Sequence, residues 1–85
     1  MELTRQELAR TAQAAIAEVL GTDPGAINDH TDLQAEYDID SLELMAVGAQ
    51  LERTLDIQIE VEDLLKAETV GQAIDMLADR LATRA

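Results

Sequence analysis

The stretch EYDIDSLELMAV, residues 36–47, decides how this chain is to be read. Glu36, Asp38, Asp40 and Glu43 crowd around one hydroxyl, Ser41. Like charges this close repel and do little for folding. Asp40 followed three residues later by Glu43 is the pattern of a helix cap and a carboxylate that reaches back to it. Beyond it, Leu44, Met45, Gly48, Leu51 and Leu55 fall on one helical stripe, flanked by Val47. A helix is therefore expected to begin at Ser41, with Leu42 off its buried stripe and toward solvent.

Upstream, Thr4-Arg5-Gln6-Glu7 is a second capping pattern, and Leu3 and Leu8 are spaced as a hydrophobic staple. Leu8, Ala12, Ala15, Ile16 and Val19 continue at helical spacing to a stop at Gly21, which predicts a helix from Thr4 to Leu20. The segment between Gly21 and Asp40 is rich in turn formers, Pro24, Gly25, Asn28 and Asp29, and reads as a long loop pinned by Ile27 and Leu33. Loops of this length tend to be functional. Downstream, Ile57, Ile59 and Val61 alternate like a strand, but a lone strand has nothing to pair with. The preferred reading is an extended link into a short helix over Val61 to Lys66. A last capping pattern, Thr69 to Gln72, opens a final helix with Val70, Ala73, Ile74, Leu77 and Leu81 on its stripe. The expected fold is all-α: a small bundle of three main helices plus one short helix, with a long loop between helices one and two, in a single domain over residues 1–85.

Composition narrows the function. The net charge of −12 argues against nucleic acid and anionic membrane surfaces and favours basic protein partners. Arg5, Arg10, Arg80 and Arg84 lie near the ends, and between Asp29 and Asp63 only Arg53 opposes the carboxylates. There is no cysteine and one histidine, His30, so disulfides and multi-histidine metal sites are not expected, and His30 reads as an exposed loop residue. No apolar run reaches membrane-span length and no secretory or lipidation signal is found; the expectation is a cytoplasmic monomer. The opening Met and the closing helical pattern read as a complete short gene product, a domain excised from a longer chain being the alternative. With one Tyr and no Phe or Trp, the core must be aliphatic and is expected to open more easily than most.

A serine in the first helical turn has two uses. It can cap a free N–H, which Asp40 already offers to do, or carry a phosphate favoured by the helix dipole and unpaired amides. Catalysis is a poor reading: only His30 could act as base, and no Gly-x-Ser-x-Gly turn surrounds Ser41. A calcium loop beginning at Glu36 fails as well, with Ser41 where glycine belongs and Val47 where glutamate belongs.

Asp40-Ser41-Leu42 at the start of a helix after a long loop resembles the attachment motif of acyl carrier proteins. The likeness extends through SLELMAVGAQLERTLDIQI and ETVGQAIDML, and the YDIDSLELM segment is most similar to discrete carriers of bacterial polyketide synthases, with fatty-acid carriers sharing most features. The resemblance implies a non-catalytic carrier. Ser41 would bear a 4′-phosphopantetheine arm, transferred from coenzyme A by a phosphopantetheinyl transferase, and the arm's thiol would hold acyl groups as thioesters. Basic patches on the transferase and on ketosynthases, acyltransferases, reductases and other acyl-processing enzymes would recognise Asp38, Asp40, Glu43, Glu52, Asp56, Glu60 and Glu62, with Leu42 as an apolar contact.

Two departures from the family stand out. Asp38 occupies a position where glycine is common, so a positive φ there would have to be borne by aspartate. The middle of the second main helix is less acidic, with Ala46 and Ala49 outward and Arg53 near its end, which points to a restricted set of partners. Gly48 on the buried face permits either close packing or an acyl cavity among Met45, Val47, Leu51, Ile59, Leu64 and Ile74; close packing is preferred. The competing functional readings are a peptidyl or aminoacyl carrier and an acidic helical adaptor that is never modified.

Overall fold

The computed structural model describes residues 4–82. Over them the chain forms α1 (Arg5–Leu20), α2 (Leu33–Tyr37), α3 (Ser41–Leu55), α4 (Val61–Lys66) and α5 (Val70–Ala82), with one 3-10 turn at Pro24–Ala26. The described residues contain no strand; residues 57–60 are the extended link into α4 that the alternation and its lack of a partner predict.

α1 begins with the expected reciprocal cap: Glu7 N donates to Thr4 Oγ1 at 3.1 Å and Thr4 N donates to Glu7 Oε1 at 2.9 Å. The Thr4 backbone N–H, then its hydroxyl, favour the ionised carboxyl and hold Glu7 below the usual glutamate range. The helix ends at Gly21, whose φ of 70° is the left-handed conformation that closes a helix and suits glycine. Leu3 of the predicted staple lies outside the described residues.

α1 packs against both α3 and α5, and α4 packs against α3. The buried apolar side chains are all aliphatic, among them Leu8, Ala12 and Ile16 of α1, Val47 and Leu51 of α3, and Ile74 and Leu77 of α5. Alanines at positions 12, 15 and 17 keep the buried face of α1 low, so the branched side chains of its two neighbours fill the space. Met45 is a correction: expected on the buried stripe, it is 52% exposed. It lies about 120° around the helix from Leu51, beyond the edge of the packed face.

The connection between α1 and α3 is also more ordered than expected. Ile27 is buried and Leu33 partly buried, as predicted, but the segment contains the 3-10 turn and α2. Asp32 Oδ1 caps α2, accepting from Gln34 N and Ala35 N at 3.1 Å each. Thr31, buried to 2% exposure, accepts from Asn28 N through Oγ1 at 3.0 Å. The carbonyls of Asp29 and Thr31 then accept from Gly71 N and Val70 N, each at 2.9 Å, so the loop caps the first turn of α5 with its own backbone. A Cβ on Gly71 would stand 2.9 Å from Asp29 O, so glycine is what lets the two backbones meet.

Arg5 fastens the same junction from α1. Its guanidinium reaches Asp29 at 3.2 Å and Asp75 at 2.9 Å and donates to Gly71 O at 3.4 Å. The hydrogen bond to Asp75 raises its pKa further above the ordinary arginine value. At the other end of α5, Arg80 bonds Asp63 at 3.0 Å and Gln58 O at 3.2 Å, tying the link and α4 to the bundle. Gly48 sits against α4, where a Cβ would meet Leu64 Cδ1, the end of a side chain, at 3.2 Å.

Candidate functional site

Three of the four carboxylates around Ser41 accept local hydrogen bonds, and the fourth residue, Asp38, acts through its backbone. Glu36 Oε2 accepts from Asp32 N at 2.9 Å. Asp38 ends α2 with φ 51°, and the amides of Asp38 and Ile39 close back on Gln34 O and Leu33 O at 3.2 and 3.3 Å. That left-handed step lets Ile39 bury itself at 8% exposure and leaves Asp40 at the head of α3. Aspartate can hold this left-handed conformation because its short polar side chain tolerates the region better than most. Asp40 Oδ1 accepts from Glu43 N at 2.8 Å, and Glu43 Oε1 accepts from Asp40 N at 3.2 Å.

Ser41, the first residue of α3, is exposed, and its hydroxyl has no hydrogen-bond partner among the described residues. The amides of Ser41 and Leu42 likewise find no acceptor among them, because Asp40 spends its oxygen on the amide of Glu43. A free primary hydroxyl therefore stands on the positive end of a 15-residue helix beside two free N–H donors. This arrangement fits a phosphodiester on the serine oxygen: the anion would meet the dipole and both donors, and nothing would have to be broken to attach it.

The remaining predicted contacts scatter over neighbouring surfaces. Leu42 is 75% exposed, off the buried stripe as expected. Glu52 accepts from Ile59 N at 2.8 Å and so latches the link to α3. Asp56 ends α3 with φ 54°. Glu60 and Glu62 are exposed at the start of α4. His30 is exposed in the loop, and among the described residues no group of three acidic or histidine side chains is placed to hold a metal ion. No helix among the described residues is long and apolar enough to cross a membrane. Sequence reasoning missed Met45 as a surface residue and Thr31 as a buried one. The angular position of Met45 carried the first signal; the burial of Thr31 follows from its carbonyl's bond to Val70 N of α5, a contact between residues far apart in sequence.

A cavity of about 40 Å³ lies between the helices and opens to the surface beside the exposed Gln34, Leu65 and Glu68. Of the wall expected for an acyl chamber it uses Val47, Leu51 and Leu64, but not Met45, Ile59 or Ile74; Ile39 and Leu44 line it instead.

A family model for the phosphopantetheine attachment site matches residues 10–77. The chain is 34% identical over 79 residues to an acyl carrier protein of Exiguobacterium sp., covering 93% of this chain and 100% of that protein. It is 31% identical over 84 residues to an acyl carrier protein of Saccharopolyspora erythraea, covering 95% and 88%. It is also 31% identical over 74 residues to a meromycolate extension acyl carrier protein of Mycobacterium tuberculosis, covering 87% of this chain and 64% of that protein.

Proposed function

Because the chain belongs to the acyl carrier protein family, non-catalytic proteins built around a phosphopantetheine attachment site, we propose that Ser41 is the residue to which the 4′-phosphopantetheine arm is joined. The single observation that carries this assignment is the unpartnered, exposed hydroxyl at the dipole-positive end of α3. The arm supplies a thiol, which a chain with no cysteine lacks, and with it thioester chemistry. The chain's own residues hold the attachment point: Asp38 turns the backbone, Ile39 anchors it, and Asp40 with Glu43 starts the helix without using the serine.

The cargo we propose is an acyl intermediate of polyketide assembly, supported by the likeness of the YDIDSLELM segment to discrete polyketide carriers. A fatty acyl cargo is the second reading, favoured by the relative named for meromycolate extension. The partners are a phosphopantetheinyl transferase and acyl-processing enzymes such as ketosynthases and acyltransferases. Exposed carboxylates off the α3 face, Glu60 and Glu62 among them, would steer basic surfaces from a distance. A cytoplasmic location accords with that role.

Incubation with coenzyme A and a broad-specificity transferase, read by intact mass, tests the attachment. The wild-type chain gains one arm and Ser41→Ala gains none. A gain that survives Ser41→Ala would reject the site, and no gain in the wild type would favour the unmodified adaptor. Loading the modified protein with polyketide-type and fatty acyl groups and presenting each to candidate synthases separates the two cargoes.

A further inference from the structure

Of the 6 basic residues in the chain, all but one are arginines: Arg5, Arg10, Arg53, Arg80 and Arg84. The exception, Lys66, is the only side-chain amine. The difference is chemical. A guanidinium stays protonated in proteins and is no nucleophile, whereas an ammonium that yields its proton becomes an amine able to attack a carbonyl carbon. A thioester is open to that attack. A single side chain is therefore able to form an amide with a thioester-bound cargo.

Lys66 is placed and equipped to do so. It is the last residue of α4 and is exposed. Among the described residues no ion pair or hydrogen bond engages its side chain, whereas Arg5 and Arg80 are each held by carboxylates. Its chain neighbours, Leu65 and Ala67, line the cavity between the helices, and Ile39, two residues ahead of Ser41, lines the same cavity. The end of α4 and the backbone that leads into Ser41 thus border one space. The shorter extents of the protein are 24 and 20 Å. An extended phosphopantetheine arm, at roughly 18 Å by ordinary covalent dimensions, is of the same order. On its other side Lys66 lines a surface groove of about 410 Å³ between α4 and α5, with Ala67 and Met76 among its walls. That groove leaves room for an acyl chain beside the amine.

Resting on the reading of Ser41 as the arm-bearing residue, we propose that Lys66 is a self-acylation site, to which an acyl group passes from the arm's sulfur in the same molecule. The ammonium first gives a proton to water. The neutral Nζ attacks the thioester carbonyl, an N–C bond forms and the C–S bond breaks. The sulfur leaves as thiolate and takes up the proton that the new amide nitrogen sheds, so no further reactant is needed. The products are a free arm and an N-acyl lysine, with one positive charge removed from α4. Tethering presents the thioester to Nζ at an effective concentration of about millimolar, well above that of other carriers in dilute solution. A cargo that no enzyme collects leaves the arm by this route.

Octanoyl-coenzyme A and a broad-specificity transferase install the loaded arm on wild type, on Lys66→Arg and on the charge-neutral exchange that combines Lys66→Arg with Arg53→Lys. Intact mass checks that each chain carries one arm. After incubation at mildly alkaline pH, hydroxylamine strips thioesters and leaves amides, and peptide mass mapping locates the octanoyl groups that remain. Wild type should keep octanoyl on Lys66, and Lys66→Arg should keep at least about tenfold less at that position. An armless Ser41→Ala chain labelled with heavy nitrogen, present in the same tube, should stay unmodified, because the tether delivers the acyl group. In the exchange variant the amine stands about 18 Å along α3 from Ser41, away from the groove, and position 53 should keep about tenfold less octanoyl than Lys66 does in wild type. The inference fails, with the carrier reading intact, if Lys66 holds no hydroxylamine-stable octanoyl. It fails equally if the armless chain or position 53 is modified as fully as Lys66. A wild-type chain that accepts no arm would bring down the reading of Ser41 and this inference together.

Discussion

Gly71 and Gly48 both lie on buried helix faces, yet alanine should have opposite effects at the two positions. Alanine in a helix interior, as at Gly48, is favoured over glycine by about 0.5–1 kcal/mol, with less to gain in the first turn, as at Gly71, and any gain must be set against what the new Cβ meets. At Gly71 it meets the backbone oxygen of Asp29 at 2.9 Å and the Asp29 Cβ at 3.1 Å. Neither can rotate away, because Asp29 O is the acceptor for Gly71 N and its carboxylate is held by Arg5. Relief requires moving the loop, which stretches one or both backbone bonds into α5, each worth about 1 kcal/mol, on top of an overpacking cost of about 1–3 kcal/mol. The net for Gly71→Ala is a loss of about 2 kcal/mol, or a fall in Tm of roughly 8–16 °C for a domain of this size. At Gly48 the Cβ meets only Leu64 Cδ1, at 3.2 Å, the end of a side chain that borders the cavity between the helices and has space to turn. Gly48→Ala should therefore range from neutral to about 1 kcal/mol more stable. Urea titration followed by far-UV circular dichroism measures both. A Gly71→Ala protein as stable as wild type would refute the reasoning, since the loop would then not be fixed to α5 by that close approach.

Three further outcomes are expected. Asp38→Gly should leave stability unchanged or improve it, while Asp38→Val should lose about 1–2 kcal/mol, because a branched side chain is disfavoured at φ 51°; chemical denaturation distinguishes them. Asp40→Ala should cost about 1 kcal/mol through loss of the α3 cap, with Asp40→Asn largely sparing it, and amide exchange in the first turn of α3 should rise in the first variant only. The Glu7 carboxyl titrates below its usual range, so the unfolded chain binds its proton first as pH falls. Its contribution is therefore present above the ordinary glutamate pKa and lost as pH drops through the lowered folded value. Glu7→Gln should flatten that part of the stability–pH curve, measured by urea midpoints across the acidic range.

Much of this fold was legible because its signals are local. The caps at Thr4 and Asp40, the stop at Gly21 and the stripes of α1, α3 and α5 each depend on residues within a few positions of one another. The link before α4 was placed by noting that a solitary strand has no partner. α2 escaped because five residues are too few to display a helical period, although Asp32 ahead of Leu33 is a fair capping residue. Met45 was misplaced because an apolar residue next to a buried one was credited to the stripe without regard to its angle. The proposed attachment serine, Ser41, was visible as a motif; that its hydroxyl is unengaged followed only from seeing which amide Asp40 takes. The loop's grip on α5 was beyond reach, since it joins backbone atoms some forty residues apart through groups every residue has.

Tyr37 is the one aromatic side chain in the chain; it closes α2 and is half-buried against the core, four positions ahead of Ser41. All intrinsic ultraviolet emission of the polypeptide thus originates beside the proposed attachment point. Its lifetime and anisotropy would follow events at the head of α3 without an added dye, a labelling strategy written into the native chain.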